Sequence, residues 1–452
     1  MTAIVIFCIL SVLLVTGKLL RLLIPVLQKL YLPSSIVGGI FGLILISIFR
    51  DRIPGDWIAG MKQLPGFLIN VVFASLFLGK VTPAFKKIWS LALPQLCMGQ
   101  LLAWGQYVFG LGLCGLVLIP CFGVNEAFGN LLEIGFQGGH GTVGGLISTF
   151  ENYRWSDGIA LGFTMATAGM VLGIVVGMVL VNWALRKGVI RNVRTFEDRD
   201  LLEQRGIYRM KERPDAGKQT VFCDSIDSLA WHAALIGLAI LIGFAMLKGL
   251  QLAEVELFPG SSNKRIFAGF PLFPLCMIGG LLLEKLMERL KANALIDHGQ
   301  MQRLSGAALD FLVVSAIATI QISVVAANWK SLLILIAAGT LWSVILVVWL
   351  APRLFKEAWF ERAISEFGQS LGVTATGLLL LRTVDPENKT VAAESFGYKQ
   401  LLHEPFMGGG IWTALALTLV FTIGWFKLWL ICCGAFVIWW IITGFILVRN
   451  RR

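Results

Sequence analysis

Phe136-Gln137-Gly138-Gly139-His140-Gly141-Thr142-Val143-Gly144-Gly145-Leu146 lies between two long apolar runs, 90–118 and 158–185, yet does not read as a lipid-facing helix. It holds five glycines, and each glycine in a helix interior costs roughly 1 kcal/mol relative to alanine. Backbone that leaves the helix at bilayer depth must find its partners in surrounding protein or in a water-lined cavity. Glycine there lets bare N–H and C=O groups come close to a ligand. Tight helix packing explains glycines, but not Gln137 and His140 among them. The stretch therefore predicts a re-entrant loop that binds what it surrounds.

The rest of the chain supplies the membrane context. Its 452 residues are 57% hydrophobic and only 14% charged, against roughly a quarter charged in soluble domains. Runs at 2–23, 33–49, 64–79, 90–118 and 158–185 predict spans in a first half. A second half has runs at 229–250, 266–283, 304–327, 331–351 and 408–424, and a final run at 428–448 adds one more helix. A second broken apolar stretch covers 363–383. The expected fold is an all-α polytopic membrane protein. Its parts are an N-terminal membrane domain (1–185), a polar linker (186–228), a C-terminal membrane domain (229–424) and an additional transmembrane helix (425–452).

The net charge of +11 sits in short loops and reads as an orientation signal rather than a nucleic-acid surface. Residues 186–218 carry ten Lys/Arg against six Asp/Glu, which predicts a cytoplasmic linker. Counting outward places loops 18–29, 80–87, 285–303 and 353–362 and the C-terminus inside, and the N-terminus outside. Loop 50–62 falls outside despite Arg50, Arg52 and Lys62. The third span, opening Leu64-Pro65-Gly66, is expected to start irregularly. The eight cysteines show no CxxC or Cys/His ligand spacing, so neither a metal centre nor a cofactor is expected.

Two matches in the same order suggest an internal repeat. Pro33, Val37, Gly38, Gly39 and Ile40 correspond to Pro274, Ile278, Gly279, Gly280 and Leu281, and Gln137, Thr142, Gly145 and Leu146 to Gln369, Thr374, Gly377 and Leu378. An odd number of spans per half makes the halves antiparallel. Two inverted repeats of about five transmembrane helices, each with a re-entrant loop, point to an alternating-access transporter.

The candidate site follows. Loop N–H groups suit an anionic substrate, with Gln137, Gly138, Gly139, His140, Gly141, Ser370 and Thr376 as binding residues. Carbonyls with the Thr142 and Thr374 hydroxyls are hard oxygen ligands for Na+, and Asp310, an acid near a membrane segment, joins the ion set. His140 and Asp310 are also the groups for proton coupling, were H+ the driving ion. Asn70 and Gln321 lie within expected spans, and Arg382 is placed either to clamp substrate or to reach the membrane surface. Gly368-Gln369-Ser370-Leu371-Gly372 satisfies a nucleophile-elbow pattern, but that chemistry needs a strand-to-helix turn in an α/β sheet. No enzyme is expected. An ion channel would use the loops as a filter; two unlike loops fit a carrier better.

These features resemble the glutamate:sodium symporter family of bacterial inner-membrane carriers. The likeness rests on 33–39, on Gly138-Gly139-His140-Gly141-Thr142, on the Asp310-Phe311-Leu312 helix start and on 368–377, and runs to about Gly424. It implies Na+-coupled uptake of glutamate, two inverted five-helix domains and a homodimer, with transport residues near 138–142 and 370–376. The second loop, Ser370-Leu371-Gly372-Val373-Thr374-Ala375-Thr376, lacks the family's Gly-Ala-Thr-Pro-Thr run, and the polar connection 382–404 is long. Another dicarboxylate or a hydroxycarboxylate, carried with Na+ or H+, is the alternative substrate.

Overall fold

A helix satisfies its own backbone, so apolar runs of about 20 residues become spans. The computed structural model describes residues 2–79, 85–190, 200–257, 267, 270–385 and 389–451. Among them, eight helices are long and apolar enough to cross a membrane: Thr2–Leu23, Gly55–Ser75, Ala92–Phe122, Asp157–Arg186, Ser228–Leu257, His298–Ala318, Ile322–Leu354 and Trp425–Val448. Shorter apolar helices cover Ser34–Ile48 and Ile411–Ile423, and no strand forms among the described residues. The chain is an all-α polytopic membrane protein. Residues 80–84 of loop 80–87, 191–199 of the linker, Ile266, 386–388 of the connection and Arg452 lie outside the described residues.

Three boundaries differ from those read in the sequence. The third helix begins at Gly55, not near Pro65, and so absorbs half of the awkward loop 50–62. Pro65 has no N–H for the carbonyl four residues back, and the Ser315 hydroxyl donates to that Met61 carbonyl instead. Farther on, the chain changes helix at Thr319–Gln321 rather than after Ala327. Gln321, expected inside a span, has extended backbone at the start of the next helix. Finally, the run at 408–424 forms only Ile411–Ile423, while the polar connection before it folds into a helix, Ala392–His403.

The repeated Gly-Gly pairs do matching work. A Cβ on Gly38 would stand 2.3 Å from the Leu13 carbonyl oxygen, and one on Gly279 2.2 Å from that of Ala239. Each first glycine thus seats its short helix on the preceding long one. The second glycines face the opposite half: Gly39 abuts Ile317, and Gly280 abuts the Ala74 carbonyl. Helix Ser34–Ile48 accordingly packs on His298–Ala318, and Phe273–Arg289 packs on Gly55–Ser75. Two π-helical turns, Cys114–Leu118 and Leu346–Leu350, each lead to a proline two residues on. They are separated by the same stretch of sequence as Gln137 and Gln369.

The linker touches both halves. Lys18 Nζ donates to the Gly206 carbonyl (3.0 Å) and Arg21 to that of Arg205 (3.1 Å), while the Lys218 N–H donates to Asp297 (3.0 Å). The C-terminal helix Trp425–Arg451 lies along Phe85–Leu113, with Trp429 Nε1 donating to the Val108 carbonyl at 3.0 Å. Its other face exposes Ile438, Ile441 and Phe445.

Candidate functional site

Both broken stretches are broken in the structure. The first is cut into short helices, Leu131–Phe136, Gly139–Gly145 and Ile147–Asn152. At 1.5 Å per residue each is about 10 Å long, a third of a bilayer core. Gly139 has φ +66° at the cut. The second stretch, Trp359–Val384, turns at Gly372 (φ −143°) and Val373 (φ 61°). Gly368 then lies against Gly377, where a Cβ would come within 2.7 Å of the partner Cα. Nine residues of unbroken helix span about 13 Å, so the stretch is a helical hairpin, two arms folded back at 372–373.

Freed backbone groups at the hairpin tip find side chains. Gln106 donates to the Ser370 carbonyl (2.7 Å), and the Thr376 hydroxyl donates to that of Gly372. Val373, β-branched with positive φ, is a strained residue of the kind that clusters at functional sites. It meets the other break: a Cβ on Gly139 would stand 2.4 Å from Val373 Cγ1.

A cavity of about 580 Å³ opens where the breaks meet. Gln137, Gly138, His140 and Gly141 line it from the first stretch, and Gln369, Val373 and Thr374 from the second. Gln400, Glu404 and Gly408 line it from helix Ala392–His403 and the bend after it, where Gly408 and Gly409 have positive φ. That bend is a third interruption. The polar residues of 392–404 mark it out of a loop because they turn inward, with Lys399 and His403 fully buried.

Lys399 and His403, one turn apart, orient the two matched glutamines. Lys399 Nζ has three protons and no acceptor; it pairs with Glu366 Oε2 (2.9 Å) and donates to Gln369 Oε1 (2.6 Å) and Gln400 Oε1 (3.1 Å). Gln369 therefore turns its NH2 group away from the lysine. On the other side, the Trp104 indole, a donor only, fixes the Gln100 oxygen at 2.9 Å. The Gln100 amide then donates to His403 Nδ1 (3.2 Å), which makes His403 Nε2 the protonated nitrogen, 3.1 Å from Gln137 Oε1. Gln137 likewise keeps its NH2 group as donor.

The other sequence candidates take several positions. His140 Nε2 lies 2.9 Å from Thr167 Oγ1, whose proton goes to the Phe163 carbonyl, so His140 is the donor and Nδ1 its acceptor nitrogen. Thr374 donates to Glu404 Oε1 at 2.7 Å. Thr142, Ser370 and Thr376 sit behind the lining. Thr142 donates to the Gly138 carbonyl (2.9 Å) beside Gly409, and Ser370 faces Ser343 (3.1 Å). Asp310 lies away from the cavity, beside Ser35. Asn70 bonds within its own helix and to Cys276.

Several functional groups escaped the sequence reading. Glu133, fully buried, accepts from Tyr107 (2.7 Å), Thr413 (3.0 Å) and the Gly408 N–H (2.8 Å), tying the first break to the third. Glu133 and Glu366 lie inside apolar stretches, and intramembrane acids are site candidates by default; that signal was available.

Two breaks meeting on one cavity inside a helical membrane protein are the layout of a carrier, and a family model described as sodium/glutamate symporter matches residues 1–385. The chain belongs to the sodium/glutamate symporter family. Membership makes it a sodium-coupled membrane transporter. No curated protein gives a significant match. The matched stretch holds both loops of the symporter fold but ends before Lys399, Gln400, His403 and Glu404, so the polar groups that orient the glutamines lie beyond it.

Proposed function

We propose that the protein imports glutamate with Na+ across the bacterial cytoplasmic membrane, through the cavity between its broken stretches. The observation that carries the reading is the contact of Gly139 with Val373 at a cavity lined from both. Glutamate carboxylates meet the NH2 groups of Gln137 and Gln369, with His140 and the 138–141 backbone beside them. Na+ meets carbonyls freed at the breaks and the hydroxyls of Thr142 and Thr374. Ser370 and Thr376 act by holding the hairpin tip. Asp310, outside the cavity, is left for a second cation.

The matching Gly-Gly contacts and π-turns support two inverted halves, 1–185 and 229–424, that rock about the cavity. His298 and Gln302, both within the basic stretch 285–303, line the cavity, which favours a state open to the cytoplasm, an external N-terminus and a cytoplasmic C-terminus. A homodimer follows from the family resemblance.

The test is uptake into proteoliposomes under imposed gradients. Saturable L-glutamate accumulation driven by a Na+ gradient supports the proposal. Accumulation driven by H+ alone, ohmic conductance, or uptake of a hydroxycarboxylate in place of glutamate refutes it.

A further inference from the structure

The Lys399 ammonium is fully buried, and each of its three protons has an oxygen. Glu366 Oε2 lies at 2.9 Å, Gln369 Oε1 at 2.6 Å and Gln400 Oε1 at 3.1 Å. The Phe396 ring adds an aromatic face 5.8 Å from Nζ. One carboxylate and two amide carbonyls are a donor set that hard metal cations take from proteins. The charges around this position suit a cation as well. Glu366 and Glu404 both act on the ammonium. The other Glu366 oxygen, Oε1, accepts from the Gln95 amide (2.9 Å), whose own oxygen takes Arg362 Nε (2.8 Å). Without the lysine, two carboxylates would face the position, with the arginine one side chain away.

A plain ion pair needs no amide oxygens. Here they come from two elements, Gln369 from the first hairpin arm and Gln400 from helix Ala392–His403, and both glutamines line the cavity. The lysine stem reaches them past Gly99 of helix Phe85–Leu113, where a Cβ would stand 2.3 Å from Lys399 Cε and 2.8 Å from Glu366 Oε2. The room beside that glycine is filled by the flexible four-carbon stem. We infer that Lys399 is a tethered cation: its ammonium fills an oxygen site fit for a monovalent metal ion, and joins the hairpin to helix Ala392–His403 with no ion taken up or released. Shortening the stem while keeping the three oxygens turns the position into an additional Na+ site. Its place in a transport cycle rests on the carrier reading above; the site itself is read from the side chains around Lys399.

The experiment uses the purified full chain without substrate. Radiolabelled Na+ is counted at saturation, and thermal melting is followed in NaCl or KCl with choline chloride holding the ionic strength constant. Lys399→Ala and Lys399→Ser should each bind one Na+ per chain more than the wild type. An ion held by the folded state alone stabilises it by mass action, so their salt-driven rise in melting temperature should be roughly twice that of the wild type or more. Lys399→Met keeps the stem's bulk and offers only a weakly accepting thioether, so it should gain neither. Adding Glu366→Gln to Lys399→Ala should return the ion count to that of the wild type. An unchanged count in both shortened variants, an equal gain in Lys399→Met, or shortened variants that no salt keeps monodisperse overturns the inference. Failure of glutamate uptake in proteoliposomes would sink the substrate named above and leave this ion count as it stands.

Discussion

Gly139→Ala puts a methyl group where the two breaks touch. The added Cβ would lie 2.4 Å from Val373 Cγ1, whereas carbon atoms rest about 3.5–4.0 Å apart, so one break must retreat by more than about 1 Å. Gly139 also has φ +66°, a region that costs an L-residue roughly 1–2 kcal/mol. Displacement on the order of 1 Å at a reacting or binding centre can cost about 100-fold in rate. The expected outcome is Na+-driven uptake lowered about 100-fold, with unfolding in detergent shifted by only about 1–2 kcal/mol. Val373→Ala in the same chain removes the opposing methyl. It should recover most of the activity, leaving the backbone strain as the same shift of about 1–2 kcal/mol in unfolding. Uptake is measured in proteoliposomes alongside thermal melting and size-exclusion profiles. Normal transport by Gly139→Ala, or no recovery in the double variant, would show that the two breaks do not work against each other.

Lys399→Met leaves Glu366 buried without its cation, which should lower stability by about 3–5 kcal/mol; adding Glu366→Leu should recover much of that loss in a denaturation series, and a double variant no more stable than the single one counts against the pairing. Thr142→Ala and Thr374→Ala should each raise the Na+ concentration for half-maximal uptake several-fold with expression maintained, and unchanged cation affinity in both removes them from the ion site.

Much of the architecture was legible in the sequence because hydropathy and helix cost are local. An apolar run spans wherever it occurs, and 136–146 is a poor helix whatever surrounds it. Helix ends were less legible: at Pro65 the boundary was decided by Ser315, far away in sequence, which takes the carbonyl that proline leaves unpaired. Helix Ala392–His403 was hidden for a similar reason. Lys399 and His403 look like loop residues until Glu366, Gln369, Gln100 and Gln137 are placed around them.

By itself, then, the chain of residues determined the membrane class, the two glycine-rich interruptions and their kinship with symporters. Only the tertiary structure decided that the interruptions touch, that the second is a hairpin, and which atom of each glutamine faces the cavity. An amide's orientation is set by the donor opposite it, and here those donors arrive from 30 residues away on Lys399 and 266 on His403, distances over which no sequence pattern carries the information.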